Sequence, residues 1–250
     1  MCGQKALPLV VSCVRPWLPF WHAVFMKTAV VTGASSGIGA ASARALAARG
    51  FHVYCLARRA ERITALARDI GGTAIECDIT QPHDVARAAE QVGERLDLLV
   101  NNAGGAFGMA SVVDADLDQW RRMYEVNVLG GVAITQAFAP ALIASGAGTI
   151  INIGSTAGHS TYEGGGGYTA AKHALKAVTE TLRLELNGKP VRISEIAPGM
   201  VHTEEFSLNR FEGDQTLADS VYAGVDEPLL ASDIADAVEW IATRPAHVNI

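Results

Sequence analysis

Hydrophobic and polar positions change rhythm repeatedly along this chain. Short β-branched or apolar runs at Thr28–Thr32, His52–Ala57, Thr73–Glu76, Leu96–Val100, Thr149–Ile153 and Val191–Ile196 predict strands. Between and after them, apolar residues recur at helical spacing near Ile38–Arg49, Glu61–Asp69, Pro82–Arg95, Leu117–Ala144, Tyr168–Asn187 and Ser232–Thr243. Several strands are apolar almost throughout instead of alternating. That is the pattern of strands covered on both faces by helices in a parallel sheet. Thr80 before Gln81-Pro82, and Ser232 before Ile234, are expected helix starts. No repeat, low-complexity tract or linker divides the pattern. The expected fold is α/β: a single Rossmann-like, doubly wound parallel sheet with helices on both faces, over residues 26–250.

The first 25 residues stand apart from this rhythm. Their apolar stretch Ala6–Val14 follows Lys5 and is broken by Arg15, Pro16 and Pro19, too short and interrupted to span a bilayer. Trp21-His22-Ala23 is a poor small-residue cleavage site for an exported chain. The expectation is that Met26 is the natural start and that residues 1–25 are an extension outside the fold.

Composition narrows the partner. The 250 residues, 49% hydrophobic and 18% charged, suit one domain with a large core. A net charge of −6 without a Lys/Arg run lacks the basic footprint that nucleic acid requires, so a small-molecule partner is expected. No membrane association is expected either. Four cysteines, Cys2, Cys13, Cys55 and Cys77, show no metal-ligand spacing, so no metal site is expected; a reducing, cytoplasmic setting fits them.

Candidate chemistry gathers where the expected strands end. Thr32-Gly33-Ala34-Ser35-Ser36-Gly37-Ile38-Gly39 lies between a strand and a helix. Its glycines permit a tight turn, and the helix start offers free N–H groups to a pyrophosphate. The spacing is not the common G-x-G-x-x-G, and the turn is a nucleotide site or a purely structural one. At the end of the second strand, Arg58 and Arg59 stand where an NAD-binding fold usually has an acid, favouring the 2′-phosphate of NADP(H); otherwise they are solvated helix-start residues. Asp78 faces an adenine or simply caps the loop beside Thr80. Asn101-Asn102-Ala103-Gly104 closes the fourth strand, and Asn127 sits inside a helical stretch where it favours a local kink. Ser155 precedes Tyr168 by thirteen positions, and Lys172 follows Tyr168 by four, on the same helical face. A phenol titrates near ~10, and a neighbouring cation lowers that value toward acid-base work at neutral pH. Gly164 to Gly167 reads as a mobile loop, or as a tolerated one.

Together the T-G-x-x-x-G-I-G turn, N-N-A-G at Asn101–Gly104, Asn127, Ser155, Y-x-x-x-K at Tyr168–Lys172 and P-G-x-V-x-T at Pro198–Thr203 resemble the short-chain dehydrogenase/reductase family in order and spacing. The resemblance implies that Tyr168 is the general acid-base, that Ser155 holds and polarises the substrate oxygen, and that Lys172 tunes the phenol and binds the nicotinamide ribose. It further implies a relay water at Asn127, adenosine-ribose packing by Asn101, Ala103 and Gly104, and carboxamide contacts from Pro198, Gly199, Val201 and Thr203. The segment Glu204–Asp214 and the ending Pro245–Ile250 look like the branch acting on small 3-hydroxy acids. In it, Arg210 clamps a substrate carboxylate or else pairs with nearby acids. A reductase of bulkier ketones and a non-catalytic nucleotide-binding relative are the competing readings. The family normally continues beyond the position of Ile250 into a final strand, so the sheet is expected to lack it. A homo-oligomer, dimer or tetramer, is expected through the helices Leu117–Ala144 and Tyr168–Asn187.

Overall fold

The computed structural model describes residues 26–203 and 205–250, so the expected extension at residues 1–25 lies outside the described residues. Strands β1 (Thr28–Thr32), β2 (His52–Ala57), β3 (Thr73–Glu76), β4 (Leu98–Asn101), β5 (Gly148–Ile153) and β6 (Val191–Ile196) form one parallel sheet in the order β3-β2-β1-β4-β5-β6. The order reverses between β1 and β4. That switch point opens a crevice at the carboxyl ends of the strands, where such sheets bind ligands.

Helices α1 (Gly37–Ala48) and α2 (Ala60–Ile70) follow β1 and β2, and α3 (Pro82–Val92) follows β3. The strand alternation distributes the core over both faces of the sheet. Ala29 and Val31 of β1 join Leu46, Ile63, Ile234 and Val238 in one buried cluster, whereas Val30 joins Val85, Ile134, Phe138 and Leu142 in another. The second cluster is covered by α3 and by the long element Leu117–Ala144. That element divides into α4 (Leu117–Tyr124), a π-helical turn at Glu125–Leu129, and α5 (Gly130–Ala144). By length and composition it could cross a bilayer, but Ile134, Phe138 and Leu142 are buried against the sheet. The π turn is centred on Asn127, a poor helix former.

Helix α6 (Gly166–Glu185) starts two residues before Tyr168. Beyond β6 the chain forms β7 (Val201–His202), α7 (Phe206–Arg210), α8 (Gln215–Ser220), β8 (Leu229–Leu230) and α9 (Ala231–Ala242), which packs on α1. The four elements β7, α7, α8 and β8 are absent from the sequence expectation, being too short to show a period. Ser232 lies inside α9 and does not cap it; the helix opens at Leu230, whose N–H donates to the Asp233 carboxylate at 2.7 Å.

Among the described residues β6 is the sheet edge, as expected, but it is not bare. Buried Arg192 donates from Nη1 to Val248 O at 2.6 Å, and Arg183 donates to Ile193 O at 2.9 Å and to Ile250 O at 3.1 Å. The last residues thereby pack along this edge, which moderates the unpaired backbone an edge strand presents.

Candidate active site

The switch-point crevice has a volume of about 820 Å³. One wall is backbone. Gly33 (φ 65°) and Gly37 (φ 51°) both occupy the left-handed region, and a Cβ on Gly33 would lie 2.8 Å from Asn102 Nδ2. The turn is held from below by Thr32, whose Oγ1 accepts from Asn102 N at 2.9 Å and Ala103 N at 3.0 Å. Ser36 precedes α1 without a side-chain cap, so the first-turn N–H groups point at the crevice unshielded. An uncapped helix start beside close-packed glycines fits a dinucleotide pyrophosphate. Gly33, Ser35, Ser36, Gly37 and Ile38 line the crevice, whereas Gly39 faces inward, where a Cβ would meet Gly33 O at 2.3 Å.

The structure redistributes two other expected contacts. Asn101, the last residue of β4, points into the layer between sheet and helices: its Nδ2 donates to Thr135 Oγ1 at 2.9 Å and Asn152 Oδ1 at 3.0 Å. Strand alternation therefore puts Asn102 rather than Asn101 on the crevice, beside Ala103 and Gly104. Asn127 does not line it either. Its buried amide clips the π turn to the next loop, accepting from Gly105 N at 3.2 Å and donating to Gly105 O and Met123 O, each at 2.8 Å. Any water relay at this residue would therefore use its backbone carbonyl, in a segment where the π turn disrupts the ordinary ladder.

At the far end, Arg58 and Arg59 both line the crevice. Arg59 donates from Nη2 to Ser35 Oγ at 2.7 Å and Ser36 Oγ at 2.8 Å, and from Nη1 to Glu205 Oε2 at 2.6 Å. Arg62 holds the other oxygen of Glu205. Burial pushes the Glu205 carboxyl up, but hydrogen bonds from Arg59, Ser36 and Arg62 outweigh it and hold it below the usual range. Asp78 also lines the crevice while accepting from Thr80 N at 3.0 Å and Thr80 Oγ1 at 2.8 Å. Arg62 had no signal as a site in the sequence, and Glu205 entered only as part of the segment Glu204–Asp214, on the substrate side.

Ser155, Tyr168 and Lys172 converge at the other end. Ser155 lies two residues beyond the end of β5 and accepts from Ala157 N at 3.1 Å, which anchors its Oγ on a short 3₁₀ turn. Lys172 is buried and donates to Ile153 O at 3.0 Å, with its Nζ 5.7 Å from the Tyr168 ring. Burial drives the Lys172 ammonium down to about 8, opposed by the charge of Glu195. The phenol goes the other way from the expectation. Burial pushes Tyr168 up to about 12, opposed by the Ser155 hydroxyl, reinforced by Tyr162 and opposed again by Arg210. Desolvation thus outweighs the effect of the nearby cation and favours the neutral phenol over the phenolate.

Arg210 is buried behind Tyr168 and outside the main crevice, in a small adjoining cavity with Phe107, Trp120 and Met123. Its Nε donates to Gly108 O at 3.0 Å and its Nη1 to Tyr162 Oη at 3.2 Å, while Nη2 is buried and has no partner among the described residues. Among the described residues it pairs with no acid. Phe206, from the same short helix, packs edge-on against Tyr168 with ring centroids 5.8 Å apart. Pro198, Gly199, Val201 and Thr203 line the crevice.

The glycine run before Tyr168 is packed tightly. A Cβ on Gly167 would lie 2.3 Å from Met123 Cε, one on Gly166 2.9 Å from Trp120 Cζ2, and one on Gly164 2.7 Å from Met109 O. These glycines admit neighbouring groups, so the expected mobile loop is replaced by a close-packed seat for α6. No cluster of metal-ligating residues occurs among the described residues.

Fold and site together define a dinucleotide-dependent oxidoreductase of the α/β class. The family model described as short chain dehydrogenase matches residues 27–211, and the chain belongs to that family. It is 58% identical over 224 residues to an uncharacterized oxidoreductase of Mycobacterium tuberculosis, covering 90% of this chain and 88% of the relative. It is 40% identical over 228 residues to the serine 3-dehydrogenase of Agrobacterium fabrum, covering 89% and 90%. The solved closed form of serine dehydrogenase complexed with NADP⁺ superposes with a TM-score of 0.86 at 36% identity, covering 90% of this chain and 92% of that one.

Proposed function

We propose that this protein is an NADP(H)-dependent dehydrogenase/reductase of small 3-hydroxy acids and the corresponding oxo acids. The observation that carries the substrate class is Arg210: a buried guanidinium beside Tyr168 whose Nη2 has no partner among the described residues. An unpaired buried cation is costly and calls for an anionic partner, and a carboxylate accepts two parallel N–H bonds. The likeness to serine 3-dehydrogenase supports the same class, since serine is a 3-hydroxy acid. NADP(H) is supported by the Arg59, Ser35 and Ser36 cluster and by the NADP⁺ complex that the fold matches.

When bound, the nicotinamide supplies or accepts the hydride. Tyr168 acts at the substrate oxygen. In reduction its neutral phenol donates the proton that makes the alkoxide an alcohol; in oxidation its phenolate takes that proton back. Ser155 orients the carbonyl oxygen and stabilises the charge developing on it. Lys172, held in place by Ile153 O, supplies positive charge below Tyr168 and a donor for the nicotinamide ribose. Asn127 fixes the loop at Gly104-Gly105. Pro198, Gly199, Val201 and Thr203 form the nicotinamide end. We further infer a cytoplasmic homo-oligomer, supported by the exposed apolar Tyr124, Leu129 and Leu184 on α4, the π turn and α6.

The test is NADP⁺ reduction across a panel of 3-hydroxy acids and neutral secondary alcohols. Turnover on the acids should fall about 10²–10⁴-fold in Tyr168→Phe. Arg210→Met should raise KM for the acids about tenfold or more while leaving the neutral alcohols little changed. Equal losses on both substrate classes would eliminate the carboxylate clamp, and full activity without the phenol would eliminate the proton-transfer role.

A further inference from the structure

The phosphate end of the crevice contains its own anion. Glu205 has each carboxylate oxygen on a different guanidinium, Oε2 on Arg59 Nη1 at 2.6 Å and Oε1 on Arg62 Nη1. Arg59 simultaneously donates to Ser35 and Ser36 in the glycine turn. Two guanidinium groups and two hydroxyls converging at one point form a cradle for an oxyanion with several acceptor atoms. In this structure a side chain from 143 residues away in sequence fills it.

We propose that Glu205 is an internal counter-anion holding the place of the 2′-phosphate of NADP(H), and that exchange of one for the other releases α7 and the turn before it. The inference rests on the reading of the crevice as an NADP(H) site. A 2′-phosphate carries nearly twice the charge of a carboxylate and three acceptor oxygens, so it outcompetes Glu205 for the same donors. The 2′-hydroxyl of NAD(H) is uncharged and cannot. The exchange is accessible because the side chains of Arg59 and Arg62 are 41% and 52% exposed, and that exposure also limits how tightly the latch holds.

What makes the exchange consequential is the position of Glu205. It immediately precedes α7, the helix that carries Phe206 against Tyr168 and Arg210 against Tyr162 and Gly108. A phosphate that expels Glu205 therefore acts on the same short segment that covers the catalytic phenol. Coupling of this kind is reciprocal: occupation of the phosphate cradle alters the freedom of the substrate-side segment, and the latched segment weakens phosphate binding. Arg62 becomes a second cation for the 2′-phosphate alongside Arg59.

Glu205→Gln preserves size and removes the charge. Calorimetric titration should show NADP⁺ binding about two- to fivefold tighter in this variant than in the wild type, with NAD⁺ affinity unchanged. Hydrogen exchange gives an independent readout. Adenosine 2′-phosphate, which lacks the nicotinamide, should speed exchange of the amides of residues 206–210 in the wild type and leave Glu205→Gln unchanged. Unaltered or weaker NADP⁺ binding in the variant, or an equal gain for NAD⁺, overturns the exchange. A wild-type chain that binds NADP⁺ no better than NAD⁺ overturns the reading of the crevice, and this inference falls with it.

Discussion

The two walls of the crevice are built by different means. The wall formed by β1, the glycine turn and α1 is made of backbone: bare N–H groups, left-handed glycines and a helix start without a cap. The wall formed by β5 and α6 is made of side chains whose properties come from burial: a phenol pushed up and an ammonium pushed down, backed from outside the crevice by the Arg210 guanidinium of α7. Backbone chemistry needs only room, so one added methyl destroys it. Side-chain chemistry is set by environment, so it changes by degrees.

The largest break in this contrast should come from the backbone wall. Gly39→Ala puts a Cβ 2.3 Å from Gly33 O and 2.6 Å from Asn102 Nδ2, one of them backbone and the other pinned to Thr32 O. We expect destabilisation of about 3 kcal/mol or more together with loss of NADP⁺ binding, read by denaturant unfolding and cofactor fluorescence. A stable variant with normal binding would mean that the turn is far softer than its geometry implies. Gly167→Ala should cost less, about 1–3 kcal/mol, because the first atom it meets is the flexible end of Met123. Since Gly167 precedes Tyr168, kcat should drop more than KM rises; a pure KM effect would contradict the role of the glycine seat in aiming the phenol.

The smallest effect belongs to the side-chain wall and depends on pH. Lys172 is held at about 8 when folded, against an ordinary 10.5. Between those values the unfolded chain binds more protons than the folded one, so stability rises as pH rises through that window. The burial penalty for the charged ammonium is fully present below pH 8 and is relieved above it. Relative to Lys172→Met, wild-type unfolding free energy should increase by about 1 kcal/mol between pH 8 and 9. The upward-shifted Cys55 and Cys77, both near 11, act alike in both proteins and cancel from the difference. Parallel stability curves would show that Lys172 is better solvated than its surroundings indicate.

Those same differences explain what the sequence could reveal. Strands β1, β2, β3 and β6 fall on the expected residues because short runs rich in β-branched and apolar residues, set between helical patterns, are a local signal of strands. The glycine turn and the Tyr168–Lys172 pair were legible because each depends on local spacing. The Glu205 latch was not, because a pairing across 143 residues leaves no periodic trace. Asn101 was misread for a subtler reason: it sits at the right strand end, but the pleat turns it inward and gives the crevice to Asn102. Gly164–Gly167 was misread because glycine marks close approach as readily as freedom, and only Trp120, Met123 and Met109, distant in sequence, distinguish the two. Helices α7 and α8, of five and six residues, are too short for any period to emerge.

One buried feature has a role that neither wall performs. Asn101 reaches Thr135 and Asn152, Asn152 reaches Thr179 at 2.8 Å, and the two threonines return to their own helices at Gly131 O and Leu175 O. This polar chain crosses from β4 and β5 to α5 and α6 within an otherwise greasy layer. Parallel apolar strands could slide by two residues and still present oil to oil. Amides that find their partners at one setting only act as an indexing pin, fixing the axial position of α6 against the sheet. Tyr168 and Lys172 ride on α6, so the distance between phenol and cofactor bed is gauged three turns away from the chemistry, by residues that touch neither.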